Sequence, residues 1–101
     1  MKKKIKITKL KVFRVKGNYY TGFEIDGNDY CYIRSNRNGY YEFAKLKTII
    51  GVDFAGRTIT SKATYCFKKE DFENPESAIK IIHFTPGALA AEEGVPFVEI
   101  Y

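Results

Sequence analysis

At 101 residues and 11.6 kDa the chain fits one domain, residues 1–101, and leaves no room for separate catalytic and regulatory modules. Hydrophobic residues make up 45% and charged residues 29%, which excludes a chain too polar to fold, and a domain of this size buries about 65% of its unfolded surface without disulfides or metal. The net charge of +5 is segregated: residues 1–16 hold eight bases and no acid, whereas from Lys68 onward three bases face seven acids.

The basic N-terminal stretch does not read as a targeting signal, because a base interrupts it at almost every second residue and no apolar core forms. No run approaches the ~20 apolar residues of a membrane span, so a soluble, cytoplasmic protein without a membrane partner is expected. Along residues 4–16, Ile5 and Ile7 share one parity, Leu10 and Val12 the other, and Phe13 and Val15 return to the first. Bringing all six to one face predicts bulges near Thr8–Lys9 and near Phe13, as in the bent first strand of a small half-closed barrel.

Two hairpins follow. Around Asp26-Gly27-Asn28-Asp29, a Gly27-Asn28 turn sets Ile25 opposite Tyr30, Phe23 opposite Tyr32 and Thr21 opposite Arg34. An Asp26-Gly27 turn would instead oppose Glu24 to Asp29, a like-charge pair, and is disfavoured on that ground. Asp26 and Asp29 read as turn formers, too few oxygen ligands for calcium. Asn38-Gly39 predicts a type I′ turn pairing Arg37 with Tyr40, Arg34 with Phe43 and Tyr32 with Lys45. Strands over 40–47 and 49–54, kinked at Gly51, lead to one over 57–67 with Ile59, Ala63, Tyr65 and Phe67 on one face.

Near the C-terminus, Asn74-Pro75-Glu76 is a helix start, but Ile79, Ile81, Ile82 and Phe84 favour strand, so residues 76–84 stay ambiguous. Thr85-Pro86 opens a second helix over Ala88–Glu93 that Gly94 closes, and a strand over Val95–Tyr101 follows. The expected fold is α+β: a small antiparallel sheet of six or seven strands, OB-like or another half-closed barrel, with a short C-terminal helical segment.

Cys31 and Cys66 fall in predicted strands and read as buried reduced thiols. With no CxxC and a single histidine, His83, neither metal nor cofactor is expected. Glu24, Asp53 and His83 are the titratable groups in apolar contexts, and no serine elbow or phosphate loop accompanies them, so a non-enzymatic protein is expected.

Eight Tyr and eight Phe carry the remaining signal. By the hairpin registers, one face holds Tyr19, Phe23, Ile25, Tyr30, Tyr32, Tyr41 and Phe43 with Arg34 and Lys45 at its rim, and reads as core. The sharper reading makes Tyr30, Tyr32 and Arg34 a stacking strip beside Lys45. Lys4, Lys6, Lys9, Lys11 and Arg14 then contact phosphates, while Arg37 in the polar loop Ser35–Gly39 and Arg34 reach bases or sugar. This predicts a domain that binds single-stranded DNA or RNA. The alternative is a protein-interaction module or small inhibitor of mobile-element type, docking the basic strand or the acidic stretch Glu70–Glu76 on an oppositely charged protein.

Overall fold

The computed structural model describes residues 4–100; Lys2 and Lys3 of the basic segment, and Tyr101, lie outside the described residues. Strands β1 (Lys9–Val15), β2 (Asn18–Ile25), β3 (Asn28–Ser35) and β4 (Tyr41–Lys45) form an antiparallel meander. The chain then makes a separate hairpin, β5 (Ile49–Val52) and β6 (Thr58–Thr60), and returns as β7 (Tyr65–Phe67) beside β4. Helices α1 (Pro75–His83) and α2 (Pro86–Ala90) precede β8 (Phe97–Ile100), which runs parallel to β1. The sheet order is β7-β4-β3-β2-β1-β8, with β7 and β8 at opposite edges, so the six strands stay open instead of closing into the expected barrel.

Both faces of this sheet are covered. On one, Phe23 and Phe43 pack with Phe72, Ala78 and Ile81, and Ile5, Ile7 and Leu10 join them. On the other, Phe13, Val15, Tyr20, Cys31 and Ala44 pack with Ile49 of the hairpin. Here lies the reason for the shifting parity of the first strand: Leu10 belongs to the helix-side core, Phe13 and Val15 to the hairpin-side core. β1 pairs with β2 in unbroken register from Lys9 opposite Glu24 to Val15 opposite Asn18, without a bulge at Phe13. Before Lys9 the chain leaves the sheet, and Ile5 bridges to Phe72.

The β2–β3 turn adopts the disfavoured register. Asp26 and Gly27 take φ of 48° and 83°, Phe23 faces Tyr30, and Glu24 faces Asp29. The like charges are tolerated because Lys11 of β1 reaches both carboxylates, at 2.7 Å from Glu24 and 2.9 Å from Asp29. Gly22, opposite Lys11, lets the Tyr30 backbone and the Phe13 ring close in; a Cβ there would stand 2.0 Å from the Tyr30 carbonyl oxygen and 2.7 Å from the Phe13 ring.

Between β3 and β4 the loop is longer than two residues. Asn36 Oδ1 accepts hydrogen bonds from the Asn38 and Tyr40 amides, only Gly39 has positive φ, and a bulge follows Tyr32. Tyr30 therefore faces Lys45, Tyr32 faces Phe43 and Arg34 faces Glu42, replacing the expected pairs. The register shift at Gly51 matches the expected kink. The single strand over 57–67 does not form: its ends join different sheets, and Ser61–Thr64 connects them.

Residues 76–84 resolve as helix up to His83. Asn74 Oδ1 accepts from the Glu76 amide at 3.1 Å, Pro75 starts the first turn, and Ala78 and Ile81 are buried. Thr21 Oγ1 donates to the Ile81 carbonyl at 2.6 Å, tying α1 to the sheet. Thr85 caps α2 through the Ala88 amide, and this helix stops short at Ala90.

Candidate functional site

The basic first segment does not present one row of free charge. Lys11 is committed to Glu24 and Asp29, and these hydrogen bonds raise its pKa above the usual lysine range while holding that of Glu24 below the carboxylate range. Arg14 Nη1 donates to Glu99 Oε1 at 2.9 Å, and its guanidinium lies over the Tyr19 ring at 5.5 Å. Lys4, Lys6 and Lys9 are exposed and form no ion pair among the described residues. They stand at the Asp26-Gly27 end of the sheet, where Asp26 and Glu73 share a hollow with Lys4 and Lys6. Arg14 sits at the other end of β1, about 17 Å of strand away from Lys9.

A second group does assemble, on β3, β4 and β7. The Tyr30 ring stacks on Phe23 (5.5 Å, 18°) and meets Tyr65 edge-on (5.6 Å, 80°). Tyr32 tilts against Phe43 at 5.6 Å, and its hydroxyl shares a 2.6 Å hydrogen bond with Ser35 Oγ. Both tyrosines are half-buried and packed against the helix-side core. Arg34 does not join them: the bulge after Tyr32 sets it opposite Glu42, which alternates onto the other face of the sheet from Phe43 and Lys45, and there it pairs with Glu42 at 3.3 Å while Thr64 Oγ1 donates to the same carboxylate. Arg37 is exposed at the loop tip.

Lys45 Nζ lies 5.9 Å from the ring centroid of Tyr65, a residue 42% exposed whose ring is nearly parallel to that of Phe67 (6.3 Å, 6°). Beyond β7, Lys68 Nζ lies 5.0 Å from the Tyr40 centroid. Lys62, Lys68 and Lys69 flank this edge, exposed and without an ion pair among the described residues. Tyr65, Tyr40 and the flanking lysines were missed as site residues. The signal was the adjacency of the Tyr65/Phe67 alternation to Lys68-Lys69, hidden by reading β7 as the tail of a longer strand.

At the opposite edge, Val12, Tyr19, Pro86, Gly87, Ala90 and Phe97 line an apolar groove of about 360 Å³ between α2 and the sheet. Tyr19 and Phe97 are in aromatic contact across it, with centroids 6.2 Å apart.

The groups considered for catalysis are occupied or scattered. Asp53 accepts hydrogen bonds from the Arg57 and Ala55 amides and pairs with the Arg57 side chain, which together lower its pKa. His83 is exposed at the end of α1. Cys31 is buried and its thiol pKa pushed up by desolvation, whereas Cys66 on β7 is exposed, contrary to the expectation that both are buried. Among the described residues, no three His, Cys, Asp or Glu side chains gather as a metal set, and no helix is long and apolar enough to cross a membrane. Neither a known protein family, nor a curated protein, nor a solved structure matches this chain, so the functional reading rests on the geometry.

Proposed function

We propose that this is a non-enzymatic module that binds single-stranded nucleic acid along the β4–β7 edge. The observation that carries the reading is the exposed Tyr65 ring with Lys45 over it and Tyr30 beneath its edge, flanked by Lys62, Lys68 and Lys69. An aromatic ring set among free lysines offers stacking to a base and charge to its phosphates, and neither demands a particular sequence. An open antiparallel sheet with such an edge offers a single strand what the binding face of an OB-like barrel offers. In this reading Tyr30 and Tyr32 support the platform, Arg37 at the loop tip extends it, Arg34 is taken up by Glu42 on the other face, and Lys4, Lys6 and Lys9 add long-range attraction. Lys11 and Arg14 hold the sheet together. Two free thiols suit a reducing compartment such as the cytoplasm.

Fluorescence anisotropy with a labelled oligonucleotide tests this. Weak binding is expected, with log affinity falling against log salt at a slope near −0.7 per phosphate neutralised. Absence of binding at low salt ends the reading.

One observation favours the alternative of a protein-interaction module or inhibitor. Phe54 is fully exposed on the turn that Asp53 locks through Ala55 and Arg57, and Ile50 and Ile59 are exposed on the same hairpin. A rigid turn presenting an aromatic side chain is a low-entropy anchor for a protein surface. This alternative takes over if the oligonucleotide does not bind.

A further inference from the structure

We propose that the β5–β6 hairpin is a membrane-docking tip, which sets Phe54 and the isoleucines beside it into the interface of a bilayer with anionic headgroups. No helix among the described residues is long and apolar enough to cross a membrane, yet a tip that stays in the interface needs only a few apolar side chains.

Phe54 is fully exposed at the turn, and Ile50 and Ile59 are 56% and 40% exposed. The sequence puts them there. β5 bulges at Ile50, so Gly51, with no side chain, stands opposite Ile59, and nothing covers that isoleucine across the ladder. Ile49, by contrast, turns inward to the core of Phe13 and Tyr20. Apolar side chains held in water on one hairpin are a standing drive for burial against another phase.

The turn is also built to leave water. The Ala55 and Arg57 amides donate to Asp53 Oδ1, the Gly56 amide to the Asp53 carbonyl, and the Asp53 amide to the Arg57 carbonyl. Arg57 Nε in turn neutralises the Asp53 carboxylate at 3.1 Å. Backbone groups satisfied internally are the condition for entering a phase of low dielectric constant, where an unmade hydrogen bond is heavily penalised.

Charge and shape select the occupant. From Leu46 to Lys62 the bases are Lys47, Arg57 and Lys62, and the one acid is Asp53, already paired. Lys47 and Lys62 are exposed at the root of the hairpin, where the Ser61 amide donates to the Thr48 carbonyl, and neither forms an ion pair among the described residues. The Asp29 carboxylate, which shares a hollow with Lys47, is taken up by Lys11. An apolar tip inside a basic rim matches acyl chains beneath anionic phosphates. A nucleic acid offers no apolar phase to the isoleucines. A protein surface would have to carry a cavity shaped to the ring, whereas fluid acyl chains close around a convex tip of any shape.

The hairpin is a separate sheet from the β4–β7 edge, so this inference and the nucleic-acid reading fail separately. The chain contains no tryptophan, and Phe54→Trp supplies a single fluorophore at the tip. With vesicles of equal parts phosphatidylcholine and phosphatidylglycerol its emission should shift to the blue and be quenched by brominated acyl chains. The parent should bind vesicles of phosphatidylcholine alone at least about fivefold more weakly, and Lys47→Glu should lose as much on the mixed vesicles. Phe54→Asp, with its fold verified by circular dichroism, should lose at least about tenfold in co-sedimentation with the mixed vesicles, and Tyr65→Ala should bind them like the parent. Absence of binding to the mixed vesicles overturns the proposal; so does equal binding by Phe54→Asp or to phosphatidylcholine alone, or binding that Tyr65→Ala abolishes. A blue shift that grows with protein concentration in the absence of lipid overturns it too and returns the tip to a protein contact.

Discussion

The two edges of the sheet solve opposite problems. β7 is short, inserts Phe67 into the helix-side core and is followed by two lysines, so its aromatic residues are anchored and its backbone is guarded. β8 keeps Phe97 and Ile100 at the surface, and among its side chains the ion pair from Glu99 to Arg14 ties it to β1. The contrast teaches that aromatic content alone does not mark a binding edge. What distinguishes the two is the state of the charge around the rings: lysines without an ion pair among the described residues at β7, an acid and a base that neutralise each other at β8.

The largest effect that would sharpen this contrast is on stability. Phe67→Ala should cost about 2–4 kcal/mol, because it empties part of a core shared with Phe43 and Phe72, whereas Phe97→Ala should change stability by less than about 0.5 kcal/mol. Urea melts at low protein concentration measure both; equal costs would dissolve the distinction between the edges. Next comes binding. Tyr65→Ala should weaken oligonucleotide affinity by about 1–3 kcal/mol with the melting temperature little changed, and Phe97→Ala should leave affinity intact. Anisotropy titrations at fixed salt decide that point.

Between the edges, Lys11→Met should lower the melting temperature by several degrees, since Glu24 and Asp29 then face each other without a bridge. The smallest expected effect is its pH signature. Glu24 has a lowered folded-state pKa, so the stability it contributes is complete above its ordinary value of 4.5 and is lost as pH falls through the lowered one. Lys11 has a raised one, so its contribution is complete below its ordinary value of 10.5 and is lost as pH rises past the raised value. In Lys11→Met the acid trend at this site should reverse, because protonating either carboxylate relieves repulsion. Thermal melts from about pH 3 to 7 read this as a smaller acid-induced loss in the variant than in the parent.

Local signals were legible where one turn of chain decided the outcome. Both helix starts, Asn74-Pro75 and Thr85-Pro86, are capped as their residue types dictate, and the cap outweighed the β-branched run Ile79 to Ile82. Signals that depend on a third element were not. Glu24 opposite Asp29 looks unfavourable in a hairpin alone, and becomes acceptable only when a lysine eighteen residues from Asp29 arrives. Arg14 looks free until Glu99, 85 residues away, pairs with it. Likewise the parity change along β1 looks like a bulge to anyone assuming one buried face, and is simple alternation once both faces are covered. Of the candidate site, Tyr30, Tyr32 and Lys45 stay on one face of adjacent strands, whereas the bulge after Tyr32, which no local signal announced, turns Arg34 to the other face. The basic strand did not stay free, since its counter-charges come from distant parts of the chain.

Lys11 also ties the register of one hairpin to the strand beside it. Without β1, the segment 18–35 is better served by the register that separates Glu24 from Asp29, and that register turns the other side chains of one strand to new partners. In the native pairing the ammonium group of Lys11 lies between the two carboxylates and offsets their repulsion. The first three strands are therefore coupled through one ammonium group, and the β2–β3 register depends on a strand that is not part of that hairpin.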